Sequence, residues 1–89
     1  MAVYQGIVDP AGRIVRNKGT FKVLSKTAQT LRIEFTGQKV AKAYVLATPW
    51  RADGDIGPDG VSASPDPLAP AVMIFAVRDY YGLSFRLET

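Results

Sequence analysis

The stretch that most constrains this chain is Thr30-Leu31-Arg32-Ile33-Glu34-Phe35-Thr36. Leu31, Ile33 and Phe35 alternate strictly with threonine, arginine and glutamate, a period of two that puts every apolar side chain on one face of an extended strand. Phe21 and Val23 alternate with Lys22 just before it, and the link Lys26-Thr27-Ala28-Gln29 is short enough to close a hairpin. These two segments predict the central pair of an antiparallel β-domain.

The rest of the chain adds strands around that pair. Residues 2–8 carry Val3, Gln5 and Ile7 in rough alternation, with Gly6 marking a bulge or a close backbone approach. Asp9-Pro10-Ala11-Gly12 predicts a turn, because proline pre-sets φ and glycine accepts a positive φ at the exit. A short strand over 13–16 ends at Asn17-Lys18-Gly19, and 36–42 forms a polar connection. Residues 43–50 are apolar on both faces and predict a strand sandwiched in the interior, its ladder ended by Pro49.

Residues 51–70 break the pattern. Four prolines (58, 65, 67, 70), several glycines and Asp53, Asp55, Asp59 and Asp66 predict a long structureless loop or extended arm. A near-continuous apolar strand follows over 71–78. Asp79-Tyr80-Tyr81-Gly82 then reads as a turn, with Gly82 at a positive φ. In the last strand Leu83, Phe85 and Leu87 point in and Ser84, Arg86 and Glu88 point out. No helical period of useful length occurs. The expected fold is all-β: one domain over 1–89, a small antiparallel β-sandwich or barrel of six to seven short strands with one long Pro/Asp-rich loop.

Composition narrows the chemistry. A chain of 89 residues buries only about 60–65% of its unfolded surface, so oligomerisation is a plausible further source of stability. With neither cysteine nor histidine, disulfides, thiolate catalysis, Cys-ligated metals and the commonest general base are all excluded. No paired carboxylates, activated serine or phosphate-cradling loop stands in a supporting context, so neither an enzyme nor a cofactor is expected. Residues 1–9 lack a leader-like pattern and the apolar run 71–77 is too short to span a bilayer, which predicts a soluble protein without membrane insertion. Residues 1–52 hold nine Lys/Arg against Asp9 and Glu34, and residues 53–89 hold two against six acidic residues. That polarity suits head-to-tail contact between subunits or an anionic partner for the first half, although solvated strand faces also carry such cations.

Three groups of residues are candidates for a site. Asp53, Asp55 and Asp59 have an oxygen-ligand spacing loosely like a calcium loop, but lack its bidentate glutamate and also read as ordinary Asp-Gly turns; no metal is assigned. Trp50-Arg51 at the mouth of the loop and Tyr80-Tyr81 in the last turn offer rigid aromatic area for a sugar ring or a partner side chain, or else cap the core ends. Arg13, Arg16, Lys18, Lys22, Lys26 and Lys39 could form a basic face for single-stranded nucleic acid, yet Phe21 and Phe35 lie on the apolar sides of their strands and no RNA-binding signature accompanies them.

The order Gly6-Ile7-Val8, Gly12-Arg13-Ile14-Val15, Gly19-Thr20-Phe21-Lys22-Val23, Leu31-Arg32-Ile33-Glu34-Phe35 and Ala43-Tyr44-Val45-Leu46-Ala47-Thr48 resembles a β-sandwich module. That module recurs at the tips of bacteriophage tail fibres and in H-type lectins. Val72 to Val77 followed by Leu83 to Leu87 is similar to the module's closing hairpin. The chain departs from it at Thr30-Leu31, where the module carries a tyrosine, and in the longer 51–70 loop. The resemblance implies a homotrimeric, non-enzymatic virion component. The expected role is a receptor-binding tip on the virion surface, in which Trp50, Arg51, Asp53, Asp55, Tyr80 and Tyr81 are the contact candidates for a host glycan or surface protein. The resemblance is equally compatible with a capsid or tail decoration protein whose proline-rich arm laces other virion structural proteins.

Overall fold

The computed structural model describes residues 2–54, 60–78 and 80–89. Eight strands form two four-stranded antiparallel sheets: β1 (Val3–Val8), β2 (Ile14–Lys18), β3 (Lys22–Lys26), β4 (Thr30–Glu34), β5 (Tyr44–Trp50), β6 (Ser62–Pro65), β7 (Val72–Ala76) and β8 (Gly82–Glu88). One sheet has the order β2-β1-β8-β5 and the other β3-β4-β7-β6. The all-β expectation holds, and a small β-sandwich describes the arrangement.

The inner strands make the core. Leu31, Ile33, Phe35, Phe75, Leu83 and Leu87 are fully buried, with Tyr4, Phe21 and Phe85 nearly so. Five rings lock the sheets together: Phe35 meets Tyr4 edge-on at 5.0 Å and Phe85 at 5.8 Å, and Phe85 meets Phe21 at 5.2 Å and Phe75 at 5.6 Å. Each such pair adds about 0.5–1.5 kcal/mol beyond its burial. Gly6 makes room for them, since a Cβ there would sit 2.6 Å from both Phe21 and Phe85. The close approach expected at Gly6 is found.

Two turns are braced alike. In the β1–β2 turn Asp9 Oδ1 accepts from the amides of Ala11 (3.0 Å) and Arg13 (2.8 Å), Oδ2 accepts from Arg13 Nε (3.0 Å), and Gly12 has φ +86° as the turn requires. In the β6–β7 turn Asp66 Oδ1 accepts from the Leu68 amide (2.9 Å) and Oδ2 from Arg32 of β4 (2.8 Å), tying the turn back across the sheet.

Several expectations are corrected. β4 is an inner strand, but its hairpin partner β3 is an edge. β5 is also an edge strand rather than an interior one. Tyr44, Leu46 and Thr48 face solvent, and Val45 and Ala47 are only half-buried. A segment apolar on both faces can be sandwiched or can present an uncovered face, and its pattern does not separate the two. Pro49 does not end the ladder: pairing runs on through Pro49↔Leu83 and Trp50↔Gly82, which an edge strand allows because its outer side needs no donor.

The 51–70 stretch is not structureless throughout. Residues 62–65 form β6 against β7, which makes eight strands rather than six or seven. Nor do β7 and β8 form a closing hairpin, because they lie in opposite sheets and the link between them crosses from one to the other. Gly82 sits inside β8 without a positive φ. Glycine is required there by contact, since a Cβ would collide with the Val8 carbonyl oxygen and lie 2.8 Å from the Asp9 carbonyl carbon.

Candidate functional site

One pole of the sandwich gathers most of the predicted contact residues. β5 delivers Trp50 to it, β8 begins there at Gly82, and the register Trp50↔Gly82 sets the two side by side. The chain turns immediately after β5, with the Gly54 amide donating to the Arg51 carbonyl at 3.0 Å. That turn folds Arg51 back so that its guanidinium lies 5.6 Å from the centre of the Tyr81 ring, while the same group pairs with Asp53 at 3.0 Å. A guanidinium over an aromatic face contributes about 0.5–1 kcal/mol at an exposed site. The Arg51–Asp53 pair is too exposed to add much.

The two tyrosines divide their roles. Tyr81 packs against the edge of the core, whereas Tyr80 is 74% exposed and stands free of it. Trp50 is half-buried. Trp50, Arg51, Asp53, Tyr80 and Tyr81 thus share one end of the molecule. Asp55 lies outside the described residues, as does Asp59. Among the described residues no cluster of three carboxylates is placed to hold a metal.

A neighbour at this pole is legible only in retrospect. The Asp9 backbone lies tight against Gly82, and the Asp9 carboxylate pairs with Arg13 across the β1–β2 turn. Partial desolvation pushes the Asp9 carboxyl up. The amide and guanidinium of Arg13 and the Ala11 amide outweigh that and hold it below the ordinary aspartate value. The signal was an aspartate opening an Asp-Pro-x-Gly turn with arginine four residues on. At the other end, Asp66 is lowered by the Leu68 amide first and by Arg32 second.

The expected basic face is divided. Arg16 and Lys18 belong to β2 and Lys22 and Lys26 to β3, so these four line neighbouring edges of the two sheets, while Lys39 lies in the β4–β5 connection. Phe21 and Phe35 are core residues and give this edge no exposed ring on which a base could stack.

Comparison with protein-family models, with curated proteins and with solved structures gave no match for this chain.

Proposed function

We propose that this chain is a non-enzymatic adhesion module of a bacteriophage or phage-like particle, most effective as a homotrimer, whose Trp50–Tyr81 pole touches a glycan or protein on a host surface. The observation that carries the reading is the convergence of Trp50, Arg51, Tyr80 and Tyr81 at one end of the sandwich, with Arg51 set over the Tyr81 ring. An exposed tyrosine and a half-buried tryptophan at the same end offer rigid apolar area with polar handles, the kind of surface on which a sugar ring or a partner side chain stacks. Three such poles on one particle component would convert weak individual contacts into avidity.

The test is adhesion of the purified protein to host cells and to a glycan array, beside light scattering for its mass. Tyr80→Ala and Arg51→Ala are expected to weaken adhesion at least about tenfold, the effect of losing about 1.4 kcal/mol, with little change in unfolding midpoint. Adhesion unchanged in both variants would overturn the reading.

A second reading, a decoration protein that packs against neighbouring subunits, draws on a different feature. β5 and β6 are edge strands with no charged residue, and between them opens a cleft of about 340 Å³ lined by residues that include Val45, Ala47, Ala63 and Met73. Edges without charge, guarded by Pro49 and Pro65, are more open to pairing with another chain than edges that carry charged residues. Loss of particle stability on deleting the protein would favour this reading over adhesion.

A further inference from the structure

The outer face of the first sheet carries a second concavity. It is a groove of about 470 Å³ that runs across all four strands. Register explains its construction. Lys18, Gln5, Arg86 and Leu46 form one row across β2, β1, β8 and β5, and Arg16, Ile7, Ser84 and Thr48 form the next. With strands about 4.8 Å apart, each row spans about 14 Å, enough for two or three sugar residues. The small side chain of Ser84 lowers the middle of the floor, and the longer side chains of Arg16, Lys18 and Leu46 raise the walls.

The lining is selective in its chemistry. Arg16, Lys18 and Arg86 supply positive charge, and among the described residues the only carboxylate paired with any of them is Glu88, at 3.5 Å from Arg86. Among the described residues neither Arg16 nor Lys18 has an acidic partner, so both are available to an incoming anion. Gln5, Ser84 and Thr48 offer hydrogen-bond donors and acceptors together. Ile7 and Leu46 offer apolar patches of ring size. Phe85, the aromatic residue of the lining, is buried with its ring packed among core rings, so it gives stacked bases no platform in the groove.

We propose that this groove binds a linear acidic saccharide. Its carboxylates would lie toward Arg16, Lys18 and Arg86, its hydroxyls on Gln5, Ser84 and Thr48, and its C–H faces on Ile7 and Leu46. Carboxylate on every unit and hydroxyls on every ring match this lining better than a nucleic acid, which needs stacking, or an acidic peptide, which has no hydroxyl array. The inference goes beyond the adhesive pole and does not depend on it.

The experiment is titration calorimetry of the full chain with an oligogalacturonate hexamer. The comparison probes are a neutral glucan hexamer, a glutamate hexamer and an oligothymidylate of matched charge. The expected result is binding of the uronate at least tenfold tighter than any of the three, weakened by salt. Ser84→Trp fills the floor without altering charge and is expected to abolish the preference. Arg16→Ser with Lys18→Ser, on an exposed edge, is expected to lower uronate affinity at least tenfold, while Tyr80→Ala leaves it unchanged. Equal binding of the glutamate or thymidylate probe, no uronate binding, or retention of the preference in Ser84→Trp overturns the proposal. Loss in Tyr80→Ala alone would also overturn it, by moving the ligand to the pole.

Discussion

The two long sides of the sandwich are built from the same parts and finished differently. On one side the edges are β2 and β3, which carry Arg16, Lys18, Lys22 and Lys26 and no acidic residue. On the other the edges are β5 and β6, Tyr44–Trp50 and Ser62–Pro65, with no charge at all. Both sides expose apolar side chains: Ile14, Val15 and Leu24 on the first, Tyr44 and Leu46 on the second. Cationic residues along an edge disfavour pairing with another strand because their desolvation and mutual repulsion oppose it. The first side is therefore guarded against association, and the second depends on proline at Pro49 and Pro65 alone. The contrast teaches that exposed apolar area does not by itself mark an interface; what surrounds the edge decides whether another chain can approach.

The largest expected effect tests the frame that both sides share. Gly82→Ala drives a methyl group into the Val8–Asp9 backbone and should cost about 3 kcal/mol or more, beyond the usual overpacking range because backbone cannot swing aside. A urea-unfolding midpoint like that of the parent would show that β8 and the start of the β1–β2 turn can move apart at this corner of the first sheet.

Next comes a matched pair on the two sides. Val45 of β5 packs against the core, so Val45→Asp should cost about 1–3 kcal/mol as an unpartnered polar group is pressed among apolar neighbours. Val15 of β2 is 53% exposed, and Val15→Asp should stay within about 0.5 kcal/mol. Equal shifts in unfolding midpoint would erase the distinction between a half-packed edge and an overhanging one.

A third test exchanges the guards. Leu46→Lys places a cation on the uncharged side and should reduce any self-association seen by light scattering at high concentration. Lys18→Ser with Lys22→Ser should increase it. If neither change moves the mass, edge charge does not govern association in this protein.

The smallest effect concerns pH. Asp9 braces the turn beside the guarded side and Asp66 the turn beside the uncharged one, and both carboxyls titrate below the ordinary value of 3.8. A carboxyl depressed by folding stabilises the native state fully above its unfolded pKa, and that contribution is lost as pH falls through the lower folded value. Asp9→Asn and Asp66→Asn should each flatten the decline of thermal midpoint on acidification below about pH 4, leaving the midpoint less sensitive to acid than in the parent. A decline as steep as the parent's in both variants would place the acid sensitivity elsewhere.

Much of this architecture is written in local pattern. The alternation at Leu31, Ile33 and Phe35, and again at Leu83, Phe85 and Leu87, fixes strand and buried face together, because an extended chain sends neighbouring side chains to opposite sides. Asp9-Pro10-Ala11-Gly12 fixes its own turn through bonds between near neighbours. The gathering of Trp50 with Tyr80 and Tyr81 was legible only as two separate dipeptides, Trp50-Arg51 and Tyr80-Tyr81, since nothing local says that residues thirty apart meet at one end. β6 escaped notice because Ser62, Ala63, Ser64 and Pro65 have no apolar period, and they become a strand only when β7 offers its free edge.

What the sequence by itself determined was the β class, the inward residues of the inner strands, and the closure of the Asp9 turn and the β3–β4 hairpin. Each of these depends on interactions within a few residues, or on the period of two. Only the tertiary structure decided which strands stand at the edges, that β7 and β8 part into opposite sheets, and that Gly82 must be glycine to let the Asp9 backbone pass. It alone set Arg16, Lys18, Ser84 and Arg86 around one groove. These outcomes depend on pairing between segments far apart in the chain, where register and sheet order are chosen by how the whole core packs.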